Sequence, residues 1–216
     1  MEIAEEQGDT RQQGVVMGQL GTLAYVQGKL AEAEERYKEA LALFQRINEP
    51  VSEAVFRHQL GMVYQDAEQW EAAEQAYRQA ARLEEERGLL AGMNGASTDW
   101  NQLAQVCKYT GRKAEAEQWY SKALAAHQAA DDRPGIARTL NNLAALLKDD
   151  PARLDEARGL AEEDLAILKT LDPAAAEIWT TYRILARIAD QQGDSSRAAD
   201  YRSKAERAYA PYAGGE

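Results

Sequence analysis

Apolar and small residues recur along the chain with a helical period, in blocks separated by short polar turns. In the stretch Trp100–Leu124, the residues Trp100, Leu103, Ala104 and Cys107 share one stripe of a predicted helix. Ala116, Tyr120 and Ala123 share a stripe of the next. Gly111 stands between the two stripes, where a glycine ends a helix and permits a tight turn. Counted from Leu103, Trp100 lies three residues back, and Gly111, Ala116, Tyr120 and Ala123 lie eight, thirteen, seventeen and twenty ahead. The alanines are small enough for two helices to approach closely, and the tyrosine fills the space beside them.

The spacing returns. One copy reads Leu20, Gly21, Gly28, Ala33, Tyr37, Ala40, and another Leu60, Gly61, Tyr64, Ala73, Tyr77, Ala80. A fifth copy reads Tyr182, Leu185, Gly193, Ala198, Ala205. The fourth, anchored at Leu143, is degenerate: Ala157 is displaced by one position, Ala161 replaces the tyrosine and Asp164 replaces the last alanine. The anchor leucines stand 40, 43, 40 and 42 residues apart, a period that predicts an all-α solenoid of about five antiparallel helix pairs. The expected division is a tail of a preceding repeat at 1–12, repeats at 13–48, 51–90, 91–131 and 134–172, and a last repeat with its capping helix at 173–212. The opening "MEIAEEQGD" reads as the last turns of a second helix and its loop, as in a piece of a longer array. Three additional residues fall within "GLLAGMNGAST", Gly88–Thr98, as a longer helix or a bulged loop.

These residues resemble tetratricopeptide repeats, whose signature is Trp–Leu–Gly–Tyr in a first helix and Ala–Phe/Tyr–Ala in a second. The period is longer than that family's usual 34. The longer form resembles the arrays of kinesin light chains, of Pins-type polarity adaptors, and of bacterial signalling ATPases and caspase-like proteases. The phrase "RPGIARTLNNLAALL", Arg133–Leu147, carries most of that likeness. The resemblance implies a right-handed superhelix with a concave groove lined by the first helices.

Composition narrows the function. A net charge of −11 disfavours nucleic acid and anionic membranes as partners. No apolar run reaches the length of a membrane span. The single cysteine, Cys107, excludes an intrachain disulfide and suits a reducing, cytoplasmic setting. It occupies the aromatic slot of its helix and reads as a small buried hydrophobe. The only histidines, His58 and His127, lie in different repeats and form no ligand pair, so no metal, cofactor or catalytic site is expected. "GTLAYVQGKL", Gly21–Leu30, has six residues between its glycines where a phosphate loop has four, and lacks the following Ser or Thr.

The stripe opposite each anchor carries the expected function, protein or peptide binding. It contains Gln19, His58, Gln59, Asn101, Gln102, Gln105, Arg138, Asn141, Asn142, Arg183 and Arg187. Gln19, Gln59, Gln102 and Asn142 hold one slot in four successive repeats, and a carboxamide both donates and accepts, as main-chain binding requires. Arg138, Arg183 and Arg187 against Asp66 and Asp149 make the stripe more basic than the chain, which favours an acidic or carboxylate-ended partner. The carboxylate clamp of chaperone-tail binders is not reproduced: its slots hold His58, Met62, Gln102, Arg138 and Asn142. Alternatives are a regulatory array cut from a signalling ATPase or protease, and a structural solenoid forming homo-oligomers through its repeat ends.

Overall fold

A computed structural model describes the backbone of residues 2–91, 94–171 and 177–212, and among these the side chains outside 2–8, 87–94 and 211. All regular structure among the described residues is helical. The helices are α1 (Glu2–Val26), α2 (Leu30–Arg46), α3 (Pro50–Asp66), α4 (Trp70–Ala91), α5 (Asn94–Tyr109), α6 (Lys113–Ala129), α7 (Arg133–Leu147), α8 (Leu154–Leu168), α9 (Ile178–Gln191) and α10 (Ser195–Tyr209). None of them is long and apolar enough to cross a membrane. Contacts divide the chain into two compact units, Met1–Trp119 and Tyr120–Glu216.

In the first unit α1 pairs with α2 and α3 with α4, while α2 rests on α3 and α4 on α5. The small residues allow this. Ala33, Tyr37 and Ala40 of α2 and Ala73, Tyr77 and Ala80 of α4 are fully buried, as are Leu103, Ala104, Cys107 and Ala116. In the second unit α7 pairs with α8 and α9 with α10, and α9 also packs on α7 and α8. Its core holds Leu140, Leu143, Ala157, Ala161, Leu185 and Ala198.

One turn design closes most of these pairs. A residue at positive φ ends the helix, and the next N–H reaches a carbonyl five residues back. Gly28 (φ 73°) does so with Lys29 N to Ala24 O at 2.9 Å, and Gly111 (φ 79°) with Arg112 N to Cys107 O at 2.8 Å. Gly193 follows the same rule. Asn48 and Asp131 serve between repeats, both at φ 51°, since Asn and Asp tolerate the left-handed region better than most residues. In the second repeat the position falls to Glu68 (φ 55°). The fourth repeat has a different turn. Pro151 opens a 3-10 turn, Pro151–Arg153, capped by Asp150 accepting from Ala152 N at 3.0 Å. That altered turn accommodates the one-residue displacement of Ala157.

The insertion lengthens a helix: α4 has 22 residues against 17 in α2 and in α6. Residues 92 and 93, inside that stretch, lie outside the described residues. One feature departs from expectation. α1 runs unbroken from Glu2, where a loop was expected after "MEIAEEQGD". The first anchor, Leu20, is 43% exposed, with Val16 and Leu23 beside it, whereas Leu60, Leu103, Leu143 and Leu185 are buried. Among the described residues no preceding second helix covers α1.

Candidate ligand-binding faces

The first helices set the geometry in each unit. In the first unit, Gln19 is exposed on α1. Gln59 of α3 is half-buried, with its Oε1 3.4 Å from the Tyr37 hydroxyl, which itself lies 3.1 Å from Thr22 Oγ1. The amide is therefore partly engaged in joining α2 to α3. Gln102 and Gln105 of α5 are half-buried and bonded to each other, Gln105 Nε2 donating to Gln102 Oε1 at 2.9 Å.

Two expected groove residues of this unit are turned to structural use. His58 Nδ1 lies 2.7 Å from Asp99 Oδ1, and its ring stands edge-on to Tyr77. Asp99 is buried, which pushes its carboxyl above the usual range, and the His58 bond partly opposes that rise. Asn101 is 2% exposed and donates to the Ser97 carbonyl at 3.3 Å, so it faces inward rather than into a groove. Ser97, Asp99 and Asn101 together make the start of α5 a buried polar segment, because α4 packs on it and His58 of α3 reaches it. A wheel drawn from sequence gives the direction of Asn101 but not this cover.

In the second unit Arg138, Asn141 and Asn142 of α7 converge on a cavity of about 420 Å³, with Asp164 of α8 and Glu177 and Thr180 near the start of α9. Arg138 is exposed and makes no ion pair among the described residues. Asn141 Nδ2 donates to Asp164 Oδ2 and to Thr181 Oγ1, both at 3.0 Å. Asp164 is fully buried, and burial raises its carboxyl above the usual range, against the bonds from Thr181 and Asn141. A second cavity, about 350 Å³, lies between Lys148, Trp179, Arg183 and Arg187. Arg183 is exposed and unpaired among the described residues, while Arg187 shares Asp149 with Lys148, at 3.2 and 2.6 Å. Those cations, Lys148 first, hold the Asp149 carboxyl below its usual range.

Asp164 and Glu177 were not foreseen as lining residues. One signal existed for Asp164, namely an acid in the slot that holds alanine in the other copies. The described residues of these faces offer amides, hydroxyls and charged side chains for hydrogen bonding. Burial pushes the Cys107 thiol up to about 11, which disfavours a thiolate. Among the described residues no three His, Cys, Asp or Glu side chains are placed to hold a metal ion.

Comparison with solved structures shows the same architecture. BtubC from P. vanneervenii is 25% identical, with a TM-score of 0.80, over 99% of this chain and 90% of that one. A putative kinesin light chain of nearly identical TPR-like repeats from Podosopora anserina is 18% identical, TM-score 0.73, over 93% and 96%. A Rap conjugation gene regulator in complex with the Phr* peptide is 16% identical, TM-score 0.70, over 92% of this chain and 53% of that one. No curated protein matches the chain. The family profile described as "Tetratricopeptide repeat" matches residues 2–86 and 96–170. With the repeat spacing, the helix pairs and that match in agreement, the chain belongs to the tetratricopeptide-repeat family.

Proposed function

We propose that the chain is a protein-interaction scaffold whose first-helix faces hold extended segments of a partner. The observation that carries this reading is the α7–α9 face, where Arg138 and Arg183 stand exposed without ion-pair partners among the described residues, beside cavities of about 420 and 350 Å³. Unpaired cations on such a face favour an acidic side chain or a terminal carboxylate, whose charge-assisted bonds they would complete. Around Asp149 the cations Lys148 and Arg187 outnumber the acid, which works in the same direction. Gln19, Gln59 and Gln102 on the first unit's face, and Asn142 on the second unit's, each supply amides for the main chain of such a segment. The Rap regulator, of the same architecture, is a structure solved with a peptide, and that precedent supports the reading.

The test is affinity capture from the native host, followed by calorimetry of the captured segment. Arg183→Glu with Arg187→Glu should weaken binding while leaving the fold intact, because both side chains are exposed. Gln102→Ala with Asn142→Ala should weaken ligands of any charge about equally. Binding should fall with salt, since surface charges are screened over about 10 Å at 0.1 M. Full affinity in the charge reversals, with loss on changing Glu35 or Glu162 of the second helices, would place the site on the other face.

A further inference from the structure

One contact recurs between successive repeats, and its chemistry changes from copy to copy. The residue two before an anchor leucine meets the residue four before the next anchor. The ring of Phe56 on α3 lies against Gly18 of α1. His58 Nδ1 on α3 stands 2.7 Å from Asp99 Oδ1 on α5, and Asn141 Nδ2 on α7 donates to Thr181 Oγ1 on α9 at 3.0 Å. A bare glycine takes a ring, an imidazole a carboxylate and an amide a hydroxyl, so each pair is matched in size or in hydrogen bonding. In the last repeat the first member of the pair is Arg183, two before Leu185. It is exposed and has no ion-pair partner among the described residues.

The corresponding place beside Arg183 is a cavity of about 410 Å³, lined also by Trp179, Arg202, Ala205, Glu206 and Tyr209. In the first repeat Phe56 fills that place, its ring 6.0 Å from Tyr37 and stacked on Phe44 at 5.4 Å. Arg202 and Tyr209 hold the slots of Tyr37 and Phe44, seventeen and twenty-four residues after the anchor. Trp179 agrees with this register. Its ring lies 5.0 Å from Tyr209, and at the matching position a Cβ on Gly14 would stand 2.6 Å from Phe44. Arg202 is bonded to Asp190, which leaves Arg183 as the cavity's cation without an ion pair among the described residues.

We propose that this cavity docks an amphipathic helix of another protein, which packs as a further first helix and offers Arg183 an Asp or Glu four residues before a leucine. The form is that of Asp99 and Leu103 in α5, where the acid meets His58. A guanidinium and a carboxylate make charge-assisted, often bidentate bonds. Trp179, Ala205 and Tyr209 supply apolar walls, as a helix laid in a groove requires. A second copy of the chain does not supply the acid: the exposed face of α1 carries Val16 at this position, four before Leu20, and Val16 leaves the guanidinium unanswered. The inference goes beyond the scaffold reading, which concerns extended segments on the α7–α9 face. The two cavities share Arg183 and Trp179, whereas Tyr209 lines only the one between α9 and α10.

The test uses the full chain, 15N-labelled, and helix-stapled peptides of the α3 sequence, Pro50–Asp66, that differ at one position: Phe56→Asp, Phe56→Lys and Phe56→Val. The readout is the indole N–H signal of Trp179, assigned with Trp179→Phe. The Asp peptide should give a saturable shift there and bind about tenfold more tightly than the other two. Arg183→Glu should make the Lys peptide the preferred one, a reversal that a misfolded variant would not produce. Tyr209→Ala should weaken all three peptides by removing a wall. Equal binding of the Asp and Lys peptides, an order unchanged by Arg183→Glu, or no saturable shift at Trp179 would each overturn the proposal. Strongest binding of the Val peptide would also overturn it, by assigning the cavity to α1 of a second copy. The scaffold reading reports separately, through an extended segment captured on the α7–α9 face, which should be indifferent to Tyr209→Ala. Peptides that fail to bind sink the helix dock alone, and peptide binding with no captured segment sinks the scaffold reading alone.

Discussion

The ring of Tyr77 lies against Gly61, so close that a Cβ on Gly61 would stand 2.5 Å from the Tyr77 Cε1. Tyr37 and Gly21 repeat the relationship at 2.6 Å to Cδ1. Both rings are fully buried and cannot step aside cheaply. This contact gives a physical reason for a glycine directly after the anchor leucine in the first two copies. Gly61→Ala should therefore overpack the α3–α4 pair and cost about 1–3 kcal/mol, measured by denaturant unfolding. An unchanged midpoint would mean that the two helices can separate without loss.

Glu68 adopts the left-handed conformation that glycine supplies at the equivalent turns, with φ at 55°. A side chain in that region costs roughly 1–2 kcal/mol relative to glycine. Glu68→Gly should raise stability, by somewhat less than that because the unfolded chain also gains freedom. Gly111→Ala, at φ 79° with open space around it, should lower stability through backbone strain alone. Thermal melts of the two variants moving in the same direction would contradict the assignment.

His127 is almost fully buried at the end of α6, 2.7 Å from Asp132 Oδ2. Burial, the largest influence, pushes its pKa down, and the Asp132 carboxylate only partly opposes that. The unfolded chain then binds the proton more readily than the folded one. The contribution of His127 to stability is complete above about pH 6.5 and is lost as pH falls through the lowered folded value. Melting points at pH 7.5 and 5.5 should differ more in the parent than in His127→Gln. Equal differences would remove His127 as the source.

The exposed stripe Val16, Leu20 and Leu23 on α1 is an apolar patch of the sort that marks association. Light scattering should show concentration-dependent association that Leu23→Glu abolishes. A strict monomer at high concentration would dispose of this.

Much of the fold was legible because burial of alanine and tyrosine at fixed spacing is a local matter of helix geometry. The anchors Leu60, Leu103, Leu143 and Leu185, the glycine turns at Gly28, Gly111 and Gly193 and the insertion region were all marked by residue type. Whether the insertion prolonged a helix was not, since "GLLAGMNGAST" suits either outcome. The candidate site was read less well. Periodicity tells which way Asn101 points but not that neighbouring helices bury it, and it cannot show His58 bonded to Asp99. Asp164 was visible only as a break in the pattern, because its chemistry depends on Thr181 and Asn141, distant in sequence.

The most direct measurement is hydrogen exchange of the chain with and without a captured partner segment. The account predicts new protection concentrated on the first helices, above all α7 and α9 around Arg138, Asn142 and Arg183, with α2, α4, α8 and α10 little changed. Protection confined to those second helices, with α7 and α9 exchanging as in the free chain, would contradict it.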